Sequence, residues 1–227
     1  ADKHGIHLLT NYETTWYATN HKAYEILNKD KSLGDLRKVV AHAGHDGRWV
    51  PKGHWIADPV QSGGGAIMDF GCYGANLITW LANGKRPQSV FAVTQTIKPE
   101  NYPNVDDEAT IILQYPKMQG IIQASWNWPF SRKDIEVYGK TGYVFSDNRW
   151  EMRIRKAGED KAGKKVLAER KPPYGDAFSF FAAVVKEEIE MLPYDLSSLE
   201  NNMITMEILD AAIRSAKSGK VIYLNRK

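Results

Sequence analysis

S-G-G-G-A-I-M-D-F-G-C-Y, residues Ser62 to Tyr73, opens a helix on three glycines and sets a carboxylate and a phenol four residues apart, at Asp69 and Tyr73. A helix turns about 100° per residue, so these two share one face. Asn76 and Trp80 fall within about 60° of the same line. Ile67, Phe70, Gly74, Ile78 and Leu81 gather on the opposite side as the core stripe. The spacing predicts one helix over Gly65–Ala82, closed by Asn83-Gly84. Its polar and aromatic ridge has the composition of a site for a hydroxyl-rich ligand, with a phenol to exchange a proton and a carboxylate to orient it. A solvated face would carry the same residues, but three glycines at a helix start cost stability unless the chain turns sharply or something approaches it closely. They are not a dinucleotide fingerprint, because Met68 stands where the third glycine of G-x-G-x-x-G belongs.

Working outward, Ile6–Tyr12 reads as a strand and Thr19–Asn28 as a helix capped by Thr19 or Asn20, with Ala23, Tyr24 and Leu27 inward. After Gly34 come strand-like runs at Leu36–Ala43, Ser89–Ile97, Glu108–Tyr115, Gly120–Trp128, Lys133–Tyr138, Tyr143–Ser146 and Trp150–Lys156. Helices are expected at Asp176–Met191 and Ser198–Ser218, and a last strand at Val221–Leu224. Short connections imply antiparallel neighbours. The fold class is α+β: an open, mainly antiparallel sheet with helices on one face, preceded by a strand and a helix. The uncovered face then needs a partner. Trp126 and Trp128, on one side of their strand, suggest either a subunit contact there or a platform for sugar rings.

The run G-G-G-A-I-M-D-F-G-C-Y-G-A-N-L-I-T-W-L resembles the signature helix of the glucose-fructose oxidoreductase, inositol dehydrogenase and MocA-type oxidoreductases, in the version with tyrosine at the fourth place after the aspartate. The stretch Leu9–Tyr17 is similar to the last strand of that family's Rossmann domain and the loop after it. Val105–Ala109 resembles the start of a central strand, and Asp210–Lys220 the closing helix. The family's G-x-G-x-x-G turn and E-K-P motif do not occur here, and Ala1–Gly5 reads as the end of a helix stopped by Gly5. The expectation is therefore the C-terminal portion of a longer enzyme. Residues 1–35 would be a remnant of the dinucleotide-binding domain, and 36–227 a substrate-binding and dimerisation domain.

The resemblance implies oxidation or reduction of a sugar, polyol or related hydroxyl compound with NAD or NADP, whose site lies mostly outside this chain. It makes Asp69 and Tyr73 catalytic, with Asn76, Trp80, His54 and Trp55 at the substrate. Asn11, Tyr12, Trp16 and Tyr17 would lie near the cofactor, although Trp16 and Tyr17 serve equally as a hydrophobic staple for the following helix. Without the E-K-P lysine the chain alone is expected to be inactive. A homodimer or higher homo-oligomer through the open sheet face is implied as well. The alternative is a non-catalytic sugar- or nucleotide-binding regulator, or a dimerisation module, with the same fold.

Composition narrows the classes. With 43% hydrophobic residues, the 227 residues suffice for one sizeable core and an appendage. A net charge of +3 with scattered basic residues gives no nucleic-acid footprint, and Arg149–Lys171, interleaved with acids, reads as a solvated hairpin. No apolar run reaches the roughly 20 residues of a membrane span and no export signal is visible, so a cytoplasmic location is expected. His42, His45 and Asp46 match no common metal spacing, and no metal site is expected. Cys72, the sole cysteine, is expected to pack rather than attack.

Overall fold

The computed structural model describes residues 2–224. Helix α1 spans Ala18–Tyr24 and continues as a π turn, Glu25–Lys29. Strand β1 is Leu36–Gly44, followed by three helical pieces, α2 (Pro59–Ser62), α3 (Ala66–Asp69) and α4 (Gly71–Leu81). Then come β2 (Ser89–Gln95), β3 (Glu108–Gln114), β4 (Gln119–Ser125), β5 (Arg132–Gly139), β6 (Gly142–Ser146), β7 (Glu151–Lys156) and β8 (Gly163–Val166). Helices α5 (Ala177–Val185) and α6 (Leu199–Ser218) and strand β9 (Ile222–Tyr223) end the described chain.

All of these strands form one sheet in the order β8-β7-β6-β5-β1-β4-β3-β2-β9. Only β1 and β4 run parallel, with Val40 opposite Ile121 and His42 opposite Gln123. Alternation sorts the side chains. Val39, Ala41, Ala43, Ile111, Leu113, Ile122, Ile135, Val137 and Val144 are buried beneath the helices. The other face carries Val40, Phe91, Ile112, Ile121, Glu136 and Phe145 and has no covering layer among the described residues. Gly74 lets α4 lie directly on this sheet, since a Cβ there would come within 2.6 Å of Ile122 Cγ2 and 3.1 Å of Ala41 Cβ.

The glycines at 63–65 serve the fold. Gly63, at φ 83°, stops α2 in the left-handed conformation. Gly65 is pressed against the turn before β3: an added Cβ would lie 1.8 Å from the Asp106 carbonyl oxygen. That carbonyl accepts from Ala66 N at 3.0 Å, and the Asp106 carboxylate accepts from Gly65 N and Ile67 N at 3.2 and 2.7 Å. The helix start is thus occupied by this chain's own carboxylate, whose pKa burial pushes up to about 6 against the pull of those N–H groups.

Four expectations are corrected. Residues 6–12 join no ladder; their one backbone tie across the chain is Thr10 N to Ser197 O, 3.1 Å, because no described strand lies beside them. The cap of α1 is Tyr17, not Thr19 or Asn20; a preceding 3-10 turn, Glu13–Trp16, starts the winding earlier, and Thr19 and Asn20 spend their side chains on Asn148 O and Thr14 O. The long helix from Gly65 is two, parted at Phe70 with φ −108°. The helix from Asp176 stops at Val185 rather than Met191, since Glu187, Glu188 and Glu190 oppose the negative end of the helix dipole and Glu187 turns left-handed at φ 60°.

Gly65→Ala is expected to lower stability by about 2–4 kcal/mol, since backbone rather than a flexible side chain must move. Denaturant unfolding measures it, and Gly53→Ala, where a Cβ meets nothing within 4 Å, serves as the control for backbone strain alone.

Candidate active site

Asp69 ends α3 and Tyr73 lies in the first turn of α4, so the break at Phe70 sends them to different neighbours. The Asp69 carboxylate accepts from Trp126 Nε1 at 2.9 Å. Trp126 is fully buried beyond the end of β4 and packs on Tyr102 at 4.8 Å. It therefore belongs to the helix side, whereas Trp128 lies over Gly44 and 6.5 Å from the His42 ring. The shared-face expectation for these two tryptophans is overturned, because β4 ends at Ser125 and the chain turns between them.

The Tyr73 ring is held on three sides. Tyr12 approaches at 5.7 Å, Phe70 at 5.9 Å, and the Lys133 ammonium lies 5.0 Å from the ring centroid. Lys133 also pairs with Glu13, which accepts from the Tyr17 hydroxyl at 2.8 Å. The Tyr73 hydroxyl itself makes no hydrogen bond to protein among the described residues. Burial pushes this phenol well above its usual range, and Cys72, Glu13 and Asp69 act in the same direction. At neutral pH it remains O–H, a donor to whatever oxygen is set before it.

His45 stands just past β1, edge-on to Phe70 at 4.9 Å. Its Nδ1 accepts from Gly47 N at 2.9 Å, which leaves the proton of a neutral ring on Nε2. Burial holds its pKa below the ordinary value, with Asp69 pulling the other way. His42 turns instead to Asp134, 3.0 Å away on the open face, so the two histidines do not converge. Cys72 donates to Asp69 O at 3.2 Å, and burial pushes its thiol up to about 12, which makes it an inert packing group.

The remaining candidates separate. Asn76 is fully buried and donates to Leu196 O at 2.8 Å, joining α4 to the start of α6. Trp80 stacks on Tyr24 at 4.3 Å, away from Asp69. Neither joins the Asp69–Tyr73 cluster: Asn76 is drawn toward α6, and Trp80 lies two turns beyond Tyr73, roughly 10 Å along α4. His54 caps a 3-10 turn through Ile56 N, and Trp55 beside it is exposed. Asn11 accepts from Trp16 Nε1 at 2.8 Å; Trp16 packs on Phe180 at 5.7 Å, and Tyr17 is spent on Glu13. Of the four residues expected near a cofactor, Tyr12 alone touches Tyr73.

Sequence reasoning missed Lys133 and Glu13, and weighed His45 and Trp126 only for a metal spacing and for the sheet face. Lys133 had a signal: it shares strand parity with Ile135 and Val137, both buried, so a cation was written into a core-facing position. Glu13 and Trp126 had none, since their partners lie 120 and 57 residues away.

A family model of the GFO/IDH/MocA C-terminal domain matches residues 21–145, more than half of the chain. Trans-1,2-dihydrobenzene-1,2-diol dehydrogenase of Xenopus tropicalis is 29% identical over 126 residues, 55% of this chain and 36% of that protein. Its Bos taurus counterpart is 38% identical over 85 residues, 37% and 23% of the respective chains. The chain thus spans about a third or less of the length of these relatives. Among solved structures, aldose-aldose oxidoreductase from Caulobacter crescentus, complexed with glycerol, superposes with a TM-score of 0.81 at 21% identity, covering 98% of this chain and 65% of that one. Levoglucosan dehydrogenase, complexed with NADH and levoglucosan, gives 0.72 at 18% identity over 92% and 66%. At such identities the structures report a shared fold. Among the described residues no helix is long and apolar enough to cross a membrane.

The Glu13 carboxyl is a test of the cluster. Burial would raise its pKa, but the hydrogen bonds from Lys133 and Tyr17 prevail and hold it below the usual value. A depressed folded pKa contributes stability that is present above the unfolded value, near 4.3, and is lost as pH falls through the folded one. Lys133→Met is expected to raise the Glu13 pKa and flatten this acid-side loss. Carboxyl-detected NMR titration, with unfolding followed from pH 6 to 3, reads both.

Proposed function

The chain belongs to the GFO/IDH/MocA family, matching its C-terminal domain, and from that premise we propose that it is the substrate-binding and proton-transfer half of an NAD- or NADP-dependent oxidoreductase acting on a CH–OH group of a sugar, polyol or cyclic diol. In this reading residues 1–35 lead in from a dinucleotide-binding domain outside this sequence and 36–227 form the substrate domain. The observation that carries it is the Tyr73 hydroxyl, unengaged by the described residues although its ring is fixed by Tyr12, Phe70 and Lys133.

The residues fit the reactive end of a nicotinamide cofactor and not its phosphates. Tyr12 and Tyr73 offer aromatic surface, whereas the glycine turn at 63–65 is filled by the Asp106 carboxylate and would repel a pyrophosphate. When bound, a nicotinamide supplies or accepts the hydride. Tyr73 donates its proton to the substrate oxygen during reduction of a carbonyl, and recovers it from the hydroxyl in the reverse direction. Lys133 beneath the ring stabilises the phenolate that forms in between. Asp69, steadied by Trp126, accepts a hydrogen bond from a neighbouring substrate hydroxyl, and His45 Nε2–H donates to one. A vicinal diol presents such a neighbour, as the dihydrodiol relatives' names suggest.

Residues 1–227 alone are expected to show no NAD(P)H oxidation with aldoses, polyols or diols, and turnover by the pure chain would contradict this. In a polypeptide that also carries the dinucleotide-binding half, Tyr73→Phe is expected to lower kcat at least 100-fold, the scale of general acid–base catalysis, with cofactor affinity nearly unchanged. Equal activity would remove Tyr73 from the mechanism.

The open sheet face supports a homodimer. Phe91, Ile112, Ile121 and Val40 lie in one row across β2, β3, β4 and β1, and Ile112 is 40% exposed. A stable dimer through two such faces needs about 1,200–2,000 Å² of buried surface. Light scattering is expected to give twice the chain mass for the wild type and a folded monomer for Ile112→Lys; a wild-type monomer at high concentration overturns the contact.

A further inference from the structure

A cleft of about 600 Å³ lies between α1, the end of α4 and the segment 167–197. Its size falls in the range of small-molecule sites. It shares no lining residue with the Asp69–Tyr73–Lys133 cluster. Its walls are aromatic: Tyr24 stacked on Trp80 at 4.3 Å, Trp16 tilted against Phe180 at 5.7 Å, and Tyr174, 41% exposed, 6.1 Å from Phe180.

Its polar groups are mismatched in a particular way. Arg170 Nη1 donates to Tyr174 O at 2.9 Å and also lies 2.9 Å from His21 Nε2. The same ring nitrogen is 2.7 Å from Thr15 O. One nitrogen cannot donate to the carbonyl and accept from the guanidinium, so one polar group is left unmatched in either tautomer. Burial and the Arg170 charge bring His21 down to about 3, so the ring is neutral and offers no relief as a cation. Arg170 makes no salt bridge among the described residues, although the Asp195 carboxylate in the same wall is near enough to favour its charge. Two further buried hydroxyls lining the cleft, Thr15 Oγ1 and Ser197 Oγ, also lack partners.

The charge balance selects the ligand. Lys22 is paired with Glu25 at 2.7 Å, and the Asp195 carboxylate is tied to Leu192 N at 2.9 Å. Arg170, over the Tyr174 ring at 5.3 Å, and Lys29, in the π turn after α1, keep no salt bridge among the described residues. A guanidinium fork suits one carboxylate, whereas a phosphate dianion calls for more charge and main-chain donors than the cleft supplies.

We propose that this cleft is a second binding site, separate from the proposed reaction centre, for a small aromatic monocarboxylate whose ring lies against Tyr24, Trp80 and Tyr174 and whose carboxylate takes the Arg170 fork.

Calorimetry and tryptophan fluorescence on the 227-residue chain test it, with phenylacetate as the probe. Saturable binding is expected, at least tenfold tighter than for phenylacetamide, and not displaced by inorganic phosphate. Arg170→Gln is expected to weaken it at least tenfold, while Tyr73→Phe leaves it unchanged. Equal binding of the amide, displacement by phosphate, unchanged affinity in folded Arg170→Gln, or loss of binding in Tyr73→Phe each overturns the proposal. Should Arg170→Gln fail to fold, the acid-against-amide comparison on the wild type decides by itself.

Discussion

The contact of Gly65 with the Asp106 backbone fixes the position of everything else in the site. The Asp106 carbonyl comes so close that no side chain is possible at Gly65, and three backbone N–H groups at the start of α3 are satisfied by this one residue. The helix start is therefore pinned to the lip of β3, and four residues later Asp69 is delivered to the buried Trp126 indole. The next constraint is Gly74, which lets α4 sit flat on β1 and β4 and so brings Tyr73 over Lys133. Two close approaches, each possible only for glycine, set where the carboxylate and the phenol stand.

A single cation on the core-facing side of β5 decides the electrostatics. Lys133 lies under a half-buried phenol and against the Glu13 carboxylate, in a place where the strand pattern calls for an apolar residue. Burying an ammonium there without Glu13 would be costly, and the Glu13–Tyr17 hydrogen bond fixes the carboxylate in turn. The lead-in segment thus does more than connect: Glu13 holds the lysine, Tyr12 walls the phenol, and Ala23, Ile26 and Leu27 of the helix that follows enter the main core.

Much of the fold was legible because β3 to β7 alternate over most of their length on a face that must be covered, and turns at Asn83-Gly84 and elsewhere use residues that tolerate positive φ. The hairpin strand β8 shows the limit. Every residue from Gly163 to Val166 is exposed, so no alternation marks it and only its pairing with β7 defines it. Residues 6–12 fail in the opposite sense, with a strand's composition and no neighbour to pair with. The site was half legible. Asp69 and Tyr73 follow from local spacing, and Asn76 and Trp80 do share Tyr73's helix, but phase does not show that Asn76 turns to the start of α6 or that Trp80, two turns on, meets Tyr24. The Asn76 amide nitrogen donates to a carbonyl 120 residues away, a partner that no local pattern announces.

Helix α4 presents two separate ends. Tyr73 and Trp80 are seven residues apart, roughly 10 Å along the axis. Between them Gly74 and Asn76 fasten the helix to the sheet below and to the start of α6 beside it. A ligand pressing on Trp80 cannot slide α4 without opening these contacts, so the helix is a poor lever between the two ends. Helix α1 is the better one, because Tyr24 meets Trp80 at its far end while Tyr17, at its cap, holds Glu13 against Lys133. The lead-in segment is where the two regions come nearest along the chain: Trp16 and Tyr24 line the second cleft, and Tyr17 between them holds the Glu13 carboxylate against Lys133.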